Sequence, residues 1–509
     1  MRAAWLGLGL VLWGTVAQAL TPDGVWAGWQ SGLAGLGVRL EAGSTAHDGG
    51  RLVLKDVTLR PIAMLDAGSV VAQLSGLTLT PAAVGAVLVQ PGAELRVTAG
   101  AKGDDVAVLV TQDGLTVTLS DADGLRYDFA AKALHLGLTA AMNAGFAADM
   151  GVVPPSATLR GQAELTGLAG SWTDVTGGMR DLAAQLTLDQ LSYDGLREDP
   201  KTHLSVQFKG SKDKLRYDLH LALPLHAPLP SLSGAVTPAQ VATALARALT
   251  AGLQGELQAT AGASRFESST GARGTVVESV VETLPSTGSI GFDRAGFHAA
   301  TEIDGMTMRL HGPNLPVPQV VLGMGKLAFR ISGPLMGDTA QAFGFKLTMA
   351  DLEAAAPLWQ ALDPGGVLPR DAASVAIDIG GTARLDLLGM LAARDGGMTE
   401  VAKPSLESLE VRDLALNGLG AALVGKGAFT FDNRGAASVP MGTGEVTIDG
   451  LNGLLDGLVQ MDLISAIMAR NARLGMALVF DKGAGADRLA SRLEARADGS
   501  VYVNGVRMK

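Results

Sequence analysis

The chain has 509 residues, a formal net charge of −10, 67 glycines, 4% aromatics and no cysteine. That charge argues against a nucleic acid or an anionic lipid surface as partner, and without cysteine no disulfide and no cysteine nucleophile can form. Many turns and an aliphatic, ring-poor interior suit broad β-sheets.

Residues 1–19 read as a secretory leader: Arg2, an apolar run from Ala3 to Trp13, and small residues at Ala17 and Ala19 before Leu20. Cleavage there predicts a periplasmic protein. The alternative is an uncleaved inner-membrane anchor, although the apolar run is shorter than the ~20 residues a membrane span requires. No later segment is long and apolar enough to cross a membrane, so no transmembrane segment is expected after cleavage.

Thr21 to Leu36 predicts a helix. Thr21 caps it, Pro22 suits its first turn, and Val25, Trp26, Trp29, Leu33 and Leu36 share a face expected to lie as a lid on the first sheet. From Gly37 to about Leu223 alternation predicts successive antiparallel strands, with Asp113-Gly114 and Asp123-Gly124 as hairpin turns. One pattern recurs at irregular spacing: Leu52-x-Leu54-x-Asp56-Val57-x-Leu59, Leu186-x-Leu188-Asp189-x-Leu191, Leu347-x-Met349-x-Asp351-Leu352 and Leu409-x-Val411-x-Asp413-Leu414-x-Leu416. In the clearer copies apolar residues change parity at the aspartate, so a bulge there would keep one face apolar.

Thr237 to Leu253 predicts a second helix, with Val241, Leu245 and Leu249 on its apolar stripe. A second sheet is expected from Gly255, including strands at Val276–Val281, Phe292–Phe297 and Leu327–Ile331, with Pro313 to Pro318 as an extended connector. The expected division is therefore an N-terminal β region over 20–235 and a C-terminal β region over 236–509. Helices are expected in the latter near 237–253, 351–362 and 454–474.

The most punctuated stretch runs from Leu358 to Leu387. A helix end carrying Trp359 leads into Asp363-Pro364-Gly365-Gly366, which reads as a turn. A long strand follows, with Val375, Ile377 and Ile379 on one side and Ala383, Leu385 and Leu387 continuing it beyond Gly380-Gly381. Trp359, Asp363, Pro364, Arg370 and Asp371 are the structural turn candidates, with Arg370 available to clamp carboxylates and Trp359 expected to pack against the strand. Val375, Ile377, Ile379 and Leu385 are candidates for lining an apolar groove.

These pieces resemble the alphaproteobacterial family called domain of unknown function 2125. The similarity is carried by the Trp-rich opening helix, the Trp359 helix end with Asp363-Pro364 and Leu368-Pro369-Arg370-Asp371, Gly427 to Asn433, and Gly450 to Asp456. That family has no assigned activity. The recurrent aspartate pattern is also similar to AsmA-like periplasmic β proteins, whose long curled sheets handle lipids. The resemblance implies an envelope protein of a Gram-negative bacterium.

Catalytic and metal-binding patterns are poor. His220 and His226 would lie ~20 Å apart on one strand, too far to share a metal. Asp121, Asp123, Gly124 and Asp128 lack a full calcium-ligand spacing. Gly323-Met324-Gly325-Lys326 is followed by strand-like sequence rather than a helix, and there is no Gly-x-Ser-x-Gly elbow. No cofactor, metal or catalytic residue is therefore expected. The fold class is mainly β: long antiparallel, strongly curved sheets with short helices at the start, in the middle and near the C-terminus. The expected function is non-enzymatic, the binding or carriage of a lipid or other hydrophobic ligand in an apolar sheet groove. The alternative is a structural or interaction protein of the envelope with a closed core.

Overall fold

The computed structural model describes residues 20–35, 37–61, 69–83, 85–101, 104–121, 124–141, 157–227, 237–272, 274–337, 339–393, 403–435, 438–483, 485 and 487–508. The expected leader and Asp123 lie outside these residues. The chain is mainly β, and it divides into two units, one ending at Glu278 and one beginning at Ser279. Every strand pairing described within either unit is antiparallel. The expected boundary at 235/236 is thus too early. Strands Gln254–Ala261 and Ser264–Ala272, which follow the second helix, both hydrogen-bond to Leu204–Pro224, so the first sheet continues past the helix that interrupts it.

In the first unit, helix α1 (Pro22–Gly35) starts where Thr21 Oγ1 accepts the Gly24 N–H at 3.1 Å. It lies as a lid on the strands Val38–Asp48, Arg51–Pro61 and Ser69–Pro81. Val25, Trp26 and Leu33 are buried with Leu52, Leu54, Leu77, Leu79, Val87, Leu119 and Tyr127 in one apolar cluster. Two polar contacts fix the lid: Trp29 Nε1 donates to Tyr127 Oη at 3.3 Å, and Gln30 Nε2 donates to the Leu40 carbonyl at 3.1 Å. Burial is the main reason the Tyr127 phenol is pushed up to about 12. Helix α2 (Pro238–Thr250) closes its N-terminus with a reciprocal pair: Thr237 Oγ1 accepts the Gln240 N–H, and Gln240 Oε1 accepts the Thr237 N–H. Its buried face is Ala242, Ala248 and Leu249, whereas Val241, assigned to the stripe from sequence, is exposed.

The recurrent aspartates sit where the ladders are interrupted. Asp56 has a left-handed backbone (φ 53°), and neither neighbouring strand pairs through it. Leu52 and Leu54 before it and Val57 and Leu59 after it are all buried, so the extra residue resets the alternation and keeps one face apolar. Asp351 has φ 54° and marks a register shift between Met349 and Leu352. The shifts around Asp413 separate Val411 from Leu414. At Asp189 the irregular backbone belongs to its neighbours, Gly167 (φ 62°) and Lys214 (φ 50°). Glycine faces three of these aspartates: a Cβ added at Gly43, Gly167 or Gly325 would run into the side chain of Asp56, Asp189 or Asp351.

In the second unit, strands Gln341–Ala354, Ala373–Arg384, Ser405–Gly418, Ala421–Asp432 and Val439–Asp449 form a meander in which each pairs with the next. Several expected elements are shorter or split. Helix α3 is confined to Ala356–Leu362, because residues from Asp351 to Ala354 still belong to the strand. Phe292 to Phe297 is a hairpin rather than a strand, since the Asp293 carboxylate accepts the N–H groups of Ala295 and Gly296 and turns the chain. Helix α4 (Leu387–Ala393) replaces the predicted end of the long strand: Asp386 Oδ1 accepts the Gly389 N–H at 2.7 Å. The helix expected over 454–474 is two helices, α5 (Leu451–Gln460) and α6 (Ala466–Met476), broken where Asp462 takes φ 58° and Ser465 caps the new helix.

Candidate functional site

The meander of the second unit has two unlike faces. Its registers align three apolar rows across successive strands. The first runs Ile303, Leu327, Met349, Val375, Leu416, Leu423, Ile448, Leu489. The second runs Phe329, Leu347, Ile377, Leu414, and the third Ile331, Phe345, Ile379, Val411. Measured along the sheet at ~4.8 Å per strand, the first row spans eight strands, ~34 Å, and the other two span four, ~14 Å, with the three rows lying within ~14 Å along the strands. Three of the four groove candidates, Val375, Ile377 and Ile379, lie at its centre.

This face is only half covered. Phe345, Leu347, Met349, Val375, Ile377, Ile379, Val411 and Leu414 all keep intermediate exposure, and Leu416 is 40% exposed. The rings of Phe329 and Phe345 meet edge to face, 5.7 Å between centroids. The opposite face carries the charges: Asp378 is bridged by Arg412 at 2.9 Å and Lys346 at 3.4 Å, and Arg412 also holds Glu410 at 3.0 Å. The bulge at Arg412 and Asp413 sustains this segregation. With it, Leu409 and Val411 before the shift and Leu414 and Leu416 after it all meet apolar or glycine partners on Ala373–Arg384.

Leu385 does not belong to this face. The strand ends at Arg384, and Leu385 precedes the Asp386 cap of α4. Sequence reasoning also left out most of the face, including Leu327, Phe329 and Phe345. Their signal was the parity of each strand; what was missing was the register that joins the strands into rows.

The turn candidates come together at one end of the sheet. Asp363 is fully buried, and its carboxylate accepts the N–H groups of Leu368 at 3.0 Å and Val367 at 2.9 Å. Those two N–H groups hold its pKa below the usual carboxylate range against the opposing pull of burial. Gly366 takes φ 62° to close the loop. Arg370 does not fork onto carboxylates: its Nη2 donates to the Asp363 carbonyl at 2.9 Å, and its guanidinium lies 5.9 Å from the Trp359 ring centroid. Trp359 is therefore half-buried under Arg370, and α3 packs beside the strand Gln319–Met324 rather than against Ala373–Arg384. Pro364 and Asp371 are exposed.

The same loop seats α5. Leu368 is buried so close to Gly457 that a Cβ there would lie 2.7 Å from Leu368 Cδ2, and Pro369 closes on Gly420 at the tip of the next hairpin. Loop and helix thus stand at the end of the sheet where Val375, Leu416, Leu423 and Ile448 form the last apolar row.

The remaining candidates do not assemble. His220 and His226 are exposed, and Asp128 is held by Arg126 on its own strand at 2.6 Å. Gly323 and Met324 end one strand, and Lys326 opens another, with no helix N-terminus for a phosphate. Among the described residues no group of three His, Asp or Glu could hold a metal, and no helix is long and apolar enough to cross a membrane. Comparison with protein-family models, curated proteins and solved structures gives no match, so the site rests on its own geometry.

Proposed function

We propose that the protein is a non-enzymatic β protein of the cell envelope that binds or carries a lipid or similar hydrophobic ligand on the apolar face of its second unit. The observation that carries this reading is the aligned rows from Ile303 to Leu489, which apart from buried Ile448 stay part exposed while the charged residues lie on the other side. Contiguous apolar patches beyond a few hundred Å² are uncommon on monomeric proteins and mark interaction sites. The three rows, sixteen side chains on adjoining strands, make one contiguous face of that order. An aliphatic face with two Phe rings offers dispersion contacts along its length and few polar groups to orient a headgroup, which suits acyl chains better than a small polar substrate. The leader-like pattern of residues 1–19 supports a periplasmic location.

Extraction of the purified protein followed by lipid mass spectrometry tests the reading. Bound lipid is expected at a defined ratio, together with saturable uptake of a fluorescent acyl probe. Ile377→Lys, which places a charge in the central row, should abolish uptake while the circular dichroism of the sheet is retained. A protein free of lipid that takes up no probe would favour the closed structural module.

A further inference from the structure

Helix α6 and its flanks are amphipathic in the wrong sense for a helix packed on a globular core. The face turned toward the protein is Ala469, 1% exposed, and Arg473. Arg473 Nε donates to Asn452 Oδ1 at 2.8 Å, and its Nη2 donates to the Asn452 carbonyl at 3.1 Å and to Asp456 Oδ1 at 2.6 Å. The large aliphatics point outward instead. Leu463 is 59% exposed, Ile467 71%, Leu474 57% and Leu478 80%. Ile467 and Leu474, seven residues apart, share one side of the helix, and exposed Leu463 and Leu478 flank its two ends. Met468, 59% exposed, widens the stripe.

A polar anchor facing inward and a stripe of Leu and Ile facing water costs hydrophobic free energy unless an apolar medium covers the stripe. We propose that α6 is an interfacial helix that seats this protein on a phospholipid bilayer, with Leu463, Ile467, Leu474 and Leu478 entering the acyl boundary. Charge distribution favours a bilayer over a protein partner. From Leu463 to Phe480 the only charged residues are Arg470 and Arg473, in a chain whose formal net charge is −10. Asp462 and Asp481 lie just outside this segment. Arg470 is exposed beside the stripe, where its guanidinium reaches the phosphate layer while the aliphatics lie deeper. Arg473 is paired with Asp456, so Arg470 is the exposed cation of a stretch that itself contains no carboxylate. Seating a lipid-binding face on a bilayer would give it access to its ligand, but the docking claim rests on α6 alone.

The test uses the full chain and vesicles of phosphatidylethanolamine with a minority of phosphatidylglycerol. The wild-type protein should float with the vesicles, and Ile467→Glu/Leu474→Glu/Leu478→Glu, all at exposed positions, should lower the partition coefficient about tenfold or more. Acyl-probe uptake from detergent micelles separates this claim from the functional proposal: the triple variant should bind the probe as well as the wild type. Unchanged flotation of the variant overturns the docking claim, and so does a wild-type protein that ignores vesicles but self-associates through these residues. Loss of probe uptake in both proteins would overturn lipid carriage and leave docking standing.

Discussion

The two units use the same sheet grammar and finish it differently. In the first, the apolar face around Leu52, Leu54, Leu79 and Leu119 lies beneath α1 with these side chains at 0–1% exposure. In the second, the matching positions on Gln341–Ala354, Ala373–Arg384 and Ser405–Gly418 stay half-exposed. Alternation alone therefore does not distinguish a core from a binding surface. The difference lies in whether a helix of sufficient breadth is laid over the rows.

The largest effect expected from this contrast is on Leu54. Truncating a fully buried leucine leaves a cavity under the lid, so Leu54→Ala should cost ~3 to 5 kcal/mol in urea denaturation. A loss below ~1 kcal/mol would mean that the first unit is as open as the second. Next is Gly167→Ala, where the new methyl must adopt a left-handed backbone and meets the Asp189 side chain. Left-handed strain at a non-glycine residue costs ~1 to 3 kcal/mol, and a neutral result would show that the bulge opposite Asp189 is not a fixed part of the sheet.

The Asp363 loop sharpens the comparison from the second unit's side. Hydrogen bonds from Leu368 and Val367 depress the Asp363 pKa in the folded protein. Its contribution to stability is therefore present above the ordinary aspartate pKa and disappears as pH falls through the depressed value. The stability gap between wild type and Asp363→Ala, followed by urea titration, should shrink toward acid. A gap independent of pH would assign the effect to packing instead. Smallest is Ile377→Ala, which removes atoms already half in water. It should shift stability by less than ~1 kcal/mol while weakening acyl-probe binding, and a cost near that of Leu54→Ala would place Ile377 in a closed core.

Much of this arrangement was legible from residues close together in the sequence. The Thr21 cap and the Val25, Trp26, Leu33 spacing located α1, and the parity change at Asp56 announced its bulge. Legibility failed where a single side chain redirected the chain. The Asp386 cap turned Leu385 and Leu387 out of the strand, Asp293 folded Phe292 to Phe297 into a hairpin, and the Met461 to Ser465 break divided one apolar run into α5 and α6. The unit boundary was hidden for a different reason. Strand Leu204–Pro224 recruits partners from beyond α2, a long-range pairing that no local composition records. Aromatic placement was equally silent. Phe129 lies over Gly170, Phe208 over Gly195, Tyr193 over Gly210, Phe343 over Gly381 and Phe429 over Gly427. Each ring fills the bare patch of a glycine on its own or a neighbouring strand.

The meander from Gln341 to Asp449 also sets an order of assembly. Each strand finds its partner in the strand made just before it, so closure spans only short stretches of chain and carries little entropy cost. As the chain emerges from its N-terminus, every finished strand becomes the template edge for the next. The growing edge waits only for the next strand in the sequence, across a hairpin or a connection carrying one short helix. Helix α5 follows directly on the last of these strands, so the loop at Asp363 receives it only after the sheet beneath has been laid down.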